Sequence, residues 1–189
     1  MSFFVKKHFY IIVILIASCN TSTEFKPHQI GDKIDSLNGI YVFENGSMGN
    51  VLSRNVTKDG YNLGLRYQCV EFVKRYYYEH YNHKMPDSYG DAKDFFDRKL
   101  KDGNINKQRN LIQFKNGGKH RPKVGDLVVY DGSIYNRFGH VAIISKDSND
   151  EIEVIQQNCG SSRETYDLNF RNQHFNIEDD RILGWLRKK

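Results

Sequence analysis

The feature that most constrains this chain is a change of hydrophobic period part-way along it. Between Cys69 and Tyr81 the apolar residues Val70, Phe72, Val73, Tyr76 and Tyr77 recur at spacings of three and four, with Glu71, Lys74, Arg75 and Glu79 between them. That spacing predicts one amphipathic helix with Cys69 in its first turn and a mixed-charge outer surface. Past Gly125 the period shortens. The segments "DLVVYD", "HVAIISKD", "EIEVIQQN" and "RILGWLR" are short, rich in β-branched and aromatic residues, and separated by turn-forming "DGSIYNRFG" and "DSND", so they are read as strands. "GIYVFEN" from Gly39 adds an earlier strand, and "DSYGDAKDFFDRKL", with Asp87 or Ser88 as cap and Ala92, Phe95 and Phe96 as apolar face, predicts a second, shorter helix. Lys101 to Lys123 reads as a loop carrying one strand at "NLIQF". Helices first and strands later, with short connections, predict an α+β domain on a mainly antiparallel sheet.

The first residues stand apart from this pattern. Lys6, Lys7 and His8 lead into the apolar run Phe9 to Ala17, which ends at Ser18 and Cys19. The run is shorter than the roughly 17–25 residues of a spanning helix, and its basic start and small-residue end are those of an export signal. "IASC" from Ile16 resembles a bacterial lipobox, which makes Cys19 the expected lipidated first residue, rather than part of an ordinary signal peptide or an uncleaved anchor. The expected organisation is a signal peptide at 1–18, a lipidated N-terminus and polar linker at 19–36, and one catalytic domain at 37–189. Loss of Lys6 and Lys7 lowers the net charge from +5 to +3. The expected location is outside the cytoplasm, with the chain anchored to a bacterial membrane through a lipid on Cys19.

Export leaves Cys69 and Cys159 as the cysteines of the domain. An oxidising compartment permits them to pair. A thiol in the first turn of a helix has another use. Free backbone N–H groups and the positive end of the helix dipole favour its thiolate, and the same N–H groups can hold the oxyanion formed when a carbonyl is attacked. Gln68, just before Cys69, is a further candidate donor for that oxyanion hole. The candidate base is His140, which "FGHVAIIS" places at the first position of an apolar strand beside Gly139; its imidazole titrates near neutrality.

A third group should orient the ring, and the next strand offers amides. Side chains alternate along a strand, so Gln156 and Asn158 share one face with Ile152 and Val154, while Cys159 shares the other with Gln157. If the first set faces the core, Gln156 and Asn158 point toward the site and a Cys69–Cys159 bridge is disfavoured.

Taken together, "YQCVEFVKRY", "GHVAIIS" and "VIQQN" resemble the CHAP family of cysteine, histidine-dependent amidohydrolases and peptidases, over roughly Gly39 to Arg187. Within it the chain resembles the amidase domain of glutathionylspermidine and trypanothione synthetases. The resemblance implies a papain-like fold, with the cysteine helix packed on the sheet, a Cys-His pair, and hydrolysis of amide bonds, most often in peptidoglycan. The family usually carries glutamate where Gln156 stands and asparagine where Asn158 stands. An amide oxygen can accept the ring N–H and set the tautomer, but it cannot offset the imidazolium charge as a carboxylate would.

Other constellations are weaker. His80 and His83 lack further metal-ligand spacing, so a solvated helix end is expected and no metal or organic cofactor is called for. "KRYYYEH" mixes cations and aromatics, but export and the interleaved glutamates argue against nucleic acid. The expectation is a monomeric amidase or peptidase acting on peptidoglycan, with a small glutathionylspermidine-like amide as the alternative substrate. A non-catalytic wall-binding or partner-binding module is the alternative of another class.

Overall fold

The computed structural model describes residues 27–189. The signal peptide and the lipidation site at Cys19 lie outside the described residues. In chain order the strands are β1 (Lys33–Leu37), β2 (Ile40–Phe43), β3 (Arg54–Val56) and β4 (Asn62–Leu65), then helix α1 (Cys69–Tyr81) and a single 3₁₀ turn at Ala92–Phe95. They continue as β5 (Ile105–Asn106), β6 (Leu111–Lys115), β7 (Leu127–Tyr130), β8 (His140–Asp147), β9 (Glu151–Ile155), β10 (Arg163–Arg171), β11 (His174–Ile177) and β12 (Ile182–Arg187). Eight of them form one sheet in the order β11-β10-β9-β8-β7-β12-β6-β5, with β1-β2 and β3-β4 as separate hairpins. Among the described residues every strand pairing is antiparallel. The fold is α+β.

The middle of the sheet is buried on both faces. Val129, Val141, Ile143 and Ile155 pack against Phe72, Val73, Tyr76 and Tyr77 of α1. On the other face Val128, Ala142, Ile144, Val154 and Trp185 meet Tyr166 and Leu168 of β10 and Ile177 of β11. This explains why "LVVY" and "VAII" are unbroken apolar runs, since a strand covered on both sides has no polar face to show. The helix sits on the sheet with its cysteine end at the start of β8, the arrangement that the resemblance implied.

Several expectations are corrected. The linker at 19–36 does not extend to Ser36. Lys33–Leu37 pairs with β2, and Ile34 and Leu37 pack on the core. Asp35 accepts from Arg163 at 2.8 and 3.0 Å and from Ser162 at 2.9 Å. A polar strand joins the fold here because its charge has a fixed partner, and that partner holds the Asp35 carboxyl below its usual range. The second helix is only the one 3₁₀ turn, capped reciprocally by Asp91 and Asp94. Its apolar residues Ala92, Phe95 and Phe96 are buried as a helix face would be. Phe96 is already extended, and the chain turns away to reach β5. Strands β10 and β11 lie in a stretch too polar to show in the sequence.

The outer surface of α1 is the largest correction. Glu71, Lys74 and Arg75 are not a solvated face; they are 1%, 0% and 7% exposed. The β3-β4 hairpin covers that side, and Lys74 Nζ donates to the carbonyls of Asn62 and Ser88. Nor is the helix end fully solvated. Asn82 closes it in the left-handed conformation (φ 47°), and His83 is buried with a ring nitrogen 2.9 Å from the Arg109 carbonyl.

Candidate active site

Cys69 is the first residue of α1, and Gln68 is its N-cap. The first helical bond runs from Phe72 N to Gln68 O at 3.2 Å, so the N–H groups of Cys69 and Val70 lie ahead of the ladder. The thiol lies against three backbone N–H groups: its own, that of Val70, and that of Val141. The last is decisive for geometry, because Val141 follows His140 and brings the thiol to the start of β8. The seat at the helix tip is as the sequence implied. Burial works against that seat and pushes Cys69 up to about 11, so the N–H groups do not ionise the thiol by themselves. Cys69 and Cys159 are both free, Cys69 half-buried and Cys159 exposed.

His140 is the first residue of β8, and its ring lies beside Tyr130, centroids 5.6 Å apart. Its Nε2 is 3.0 Å from Gln156 Oε1. The amide's orientation follows from its other end, where Gln156 Nε2 donates to the Ser161 carbonyl at 3.1 Å and to Glu164 Oε2 at 3.3 Å. With Oε1 able only to accept, the ring hydrogen sits on Nε2 and Nδ1 carries the lone pair. Burial pulls His140 down to about 4, opposed by the Gln156 bond and the Glu164 charge and assisted by Arg181. Burial thus favours the neutral form of the thiol and of the imidazole. Ionisation requires passing the proton from one to the other, which creates both charges together so that each offsets the other.

Of the two amides that could orient the ring, the structure places Gln156 there. Asn158, in the left-handed conformation at φ 59°, turns to Gln68 instead, donating to its Oε1 at 2.6 Å and to the Met48 carbonyl at 3.1 Å. Asn45 Nδ2 donates to Asn158 Oδ1 at 3.0 Å. Gln68 is held from both ends, since its Nε2 also donates to Asn50 O at 2.7 Å. One hydrogen of that amide is therefore committed, and the other has no acceptor among the described residues. The turn before His140 requires glycine: at Gly139 φ is 75°, and a Cβ would stand 2.5 Å from the Tyr130 carbonyl.

Sequence reasoning missed the support behind the cysteine turn. The Glu71 carboxylate receives Arg75 Nε at 2.7 Å, Asn55 Nδ2 at 2.7 Å and Gln157 Nε2 at 3.0 Å. Gln157 also donates to the Gln68 carbonyl at 3.1 Å and accepts from Phe43 N at 2.8 Å. This network ties β2, β9 and the N-cap together. The available signal was Glu71 and Arg75 at i and i+4, a pair that reads equally well on a wet surface.

A model of the CHAP domain matches residues 58–158, more than half of the chain. The chain belongs to the CHAP domain family. Among curated relatives, the bifunctional glutathionylspermidine synthetase/amidase of Escherichia coli (strain K12) is 31% identical over 147 residues, 70% of this chain and 23% of that protein. Trypanothione synthetase of Crithidia fasciculata is 30% identical over 100 residues, 53% of this chain and 15% of that protein. The chain thus spans less than a quarter of these relatives. Among solved structures, the wild-type endolysin LysIME-EF1 is similar at TM-score 0.37 and 16% identity, covering 75% of this chain and 60% of that one. The matched region of this CHAP domain runs from the approach to α1 through Asn158 and contains Gln68, Cys69, His140, Gln156 and Asn158.

Proposed function

We propose that this CHAP domain is an exported, lipid-anchored cysteine amidase or peptidase that cleaves amide bonds in peptidoglycan. The observation that carries the reading is a thiol at a helix N-terminus beside the Val141 N–H, one residue along β8 from His140, whose Nε2 is already bound to Gln156. Nδ1 is then the free base. In the reaction Cys69 Sγ attacks the carbonyl carbon as His140 takes its proton. The N–H groups at the tip of α1, with the free hydrogen of the Gln68 amide, receive the oxyanion. As the intermediate collapses the C–N bond breaks and the amine leaves with the proton from His140. Water then attacks the thioester, His140 accepts a proton from it, the C–S bond breaks, and the proton returns to Cys69.

Peptidoglycan is supported by the family and by the export signal that the sequence leads one to expect at residues 1–18. Around the turn before His140, Ile134, Tyr135 and Phe138 are exposed, and Lys93, which packs on Gly139, lines an open groove with Tyr89, Asp94, Arg98 and Asp131. An apolar rim beside a polar groove suits a peptide carried on a polar polymer. The test is incubation with purified muropeptides and mass spectrometry of the products. New amine and carboxyl ends that vanish in Cys69→Ala are expected, and unchanged muropeptides refute the substrate. The likeness to the glutathionylspermidine amidase motivates a second arm with glutathionylspermidine. Cleavage there alone would replace the polymer by a small amide, and no cleavage of either would favour a binding module.

A further inference from the structure

The family's usual carboxylate is absent from position 156, but a carboxylate stands one amide further on. Glu164 lies opposite Val154 in the β9-β10 pairing, and Gln156 is two residues beyond Val154 on the same face. This register makes Glu164 and Gln156 diagonal neighbours, and Glu164 Oε2 accepts from Gln156 Nε2 at 3.3 Å. The neighbouring cations are engaged elsewhere. Arg163 is bound to Asp35 and Glu153, each at 2.8 Å, and Arg181 to Asp179 at 2.6 Å. Glu164 forms no salt bridge among the described residues; its carboxylate faces the Gln156 amide and the Tyr166 hydroxyl.

We propose that Glu164 is a positioning residue that acts on His140 through the Gln156 amide: it pins Oε1 toward the ring and supplies, one bond further out, the negative charge that an imidazolium at His140 needs. The inference rests on the catalytic reading of Cys69 and His140. Other groups near the ring enter the balance: Tyr130 on β7, whose hydroxyl meets that of Tyr166 on β10, Arg181 ahead of β12, Lys93 beside Gly139, and Cys69 on α1, whose thiol lies by the N–H of Val141, the next residue. Of these, Arg181 opposes the imidazolium and Glu164 favours it. The Ser161 carbonyl also holds the amide, so the contribution specific to Glu164 is its charge.

The test is the rate of alkylation by iodoacetamide as a function of pH, followed by mass spectrometry on the tryptic peptide Tyr67–Lys74, which isolates Cys69 from the other thiols. Glu164→Gln keeps an acceptor for Gln156 but removes the charge. For an exposed, solvent-screened charge about one amide from the ring, the neutral-pH rate should fall roughly threefold. The acid limb should move to lower pH by about half a unit, because the imidazolium loses support. Gln156→Glu with Glu164→Gln places the carboxylate directly on the ring and should return both rate and limb to wild-type values or beyond. A Glu164→Gln profile that superimposes on wild type overturns the proposal, as does a fall in rate with an unmoved acid limb, which is the mark of a purely structural role. Wild-type alkylation that is slow and indifferent to His140→Ala overturns the catalytic reading instead.

Discussion

Replacing Glu71 by alanine tests whether the cysteine turn is held by a buried ionic network. The carboxylate is 1% exposed and Arg75 is 7% exposed, with Nε to Oε1 at 2.7 Å. Truncation leaves the guanidinium buried with only the Tyr41 carbonyl, at 2.8 Å, and the ring faces of Phe43 and Phe72. Breaking a buried pair from one side costs about 3–5 kcal/mol, because a charge is left without compensation. For a domain of this size that lowers Tm by roughly 10 °C. Trp185, the single tryptophan of the chain, is fully buried, so its fluorescence reports unfolding in urea. The midpoint should fall with the slope unchanged. Replacing both partners, as Glu71→Leu with Arg75→Met, removes the orphaned charge and should cost less than Glu71→Ala alone. A loss below about 1 kcal/mol for Glu71→Ala, or simple additivity in the double variant, would refute the reasoning.

Other outcomes follow from single contacts. Gly139→Ala puts a Cβ against the Tyr130 carbonyl at 2.5 Å and the Lys93 nitrogen at 3.0 Å; it should cost about 1–3 kcal/mol and slow hydrolysis more than ten-fold through displacement of His140, checked by paired melting and activity assays. Arg163→Ala frees Asp35 and should lower stability by about 1–2 kcal/mol, while limited proteolysis should show new cuts near residues 27–37. His140 is held near 4 in the fold, against 6.5 for an ordinary solvated histidine. A base whose folded pKa is depressed makes the unfolded chain bind more protons between those values, so stability should decline as pH falls from 6.5 to 4, by at most about 3 kcal/mol. His140→Ala should flatten that part of the stability profile in urea titrations at several pH values, and an unchanged slope would count against the half-buried neutral ring.

How much was legible in the sequence is seen best at α1 and β8. Period-three-and-four spacing from Val70 to Tyr77 located the helix, and the unbroken "VAII" located the strand headed by His140, because local periodicity reports which faces must leave water. Cys69 in a first turn and His140 at a strand start were therefore visible without coordinates. Gln156 and Asn158 were visible as a pair, but not which of them meets the ring. Position 158 adopts a left-handed backbone just past β9, which turns its amide from His140 to Gln68, and no alternation rule extends past a strand's end.

The remaining decisions were tertiary. Glu71, Lys74 and Arg75 carry the same charges on a wet helix as in a covered one, and only the β3-β4 hairpin packed across them makes them interior. The ionisation state of Cys69 and His140 likewise depends on how much protein surrounds them, a quantity no linear pattern contains. Sequence by itself determined which residue types stand at the ends of which elements. Tertiary structure alone decided their partners and their charge, because burial and hydrogen bonding between distant segments exist only once the chain has closed on itself.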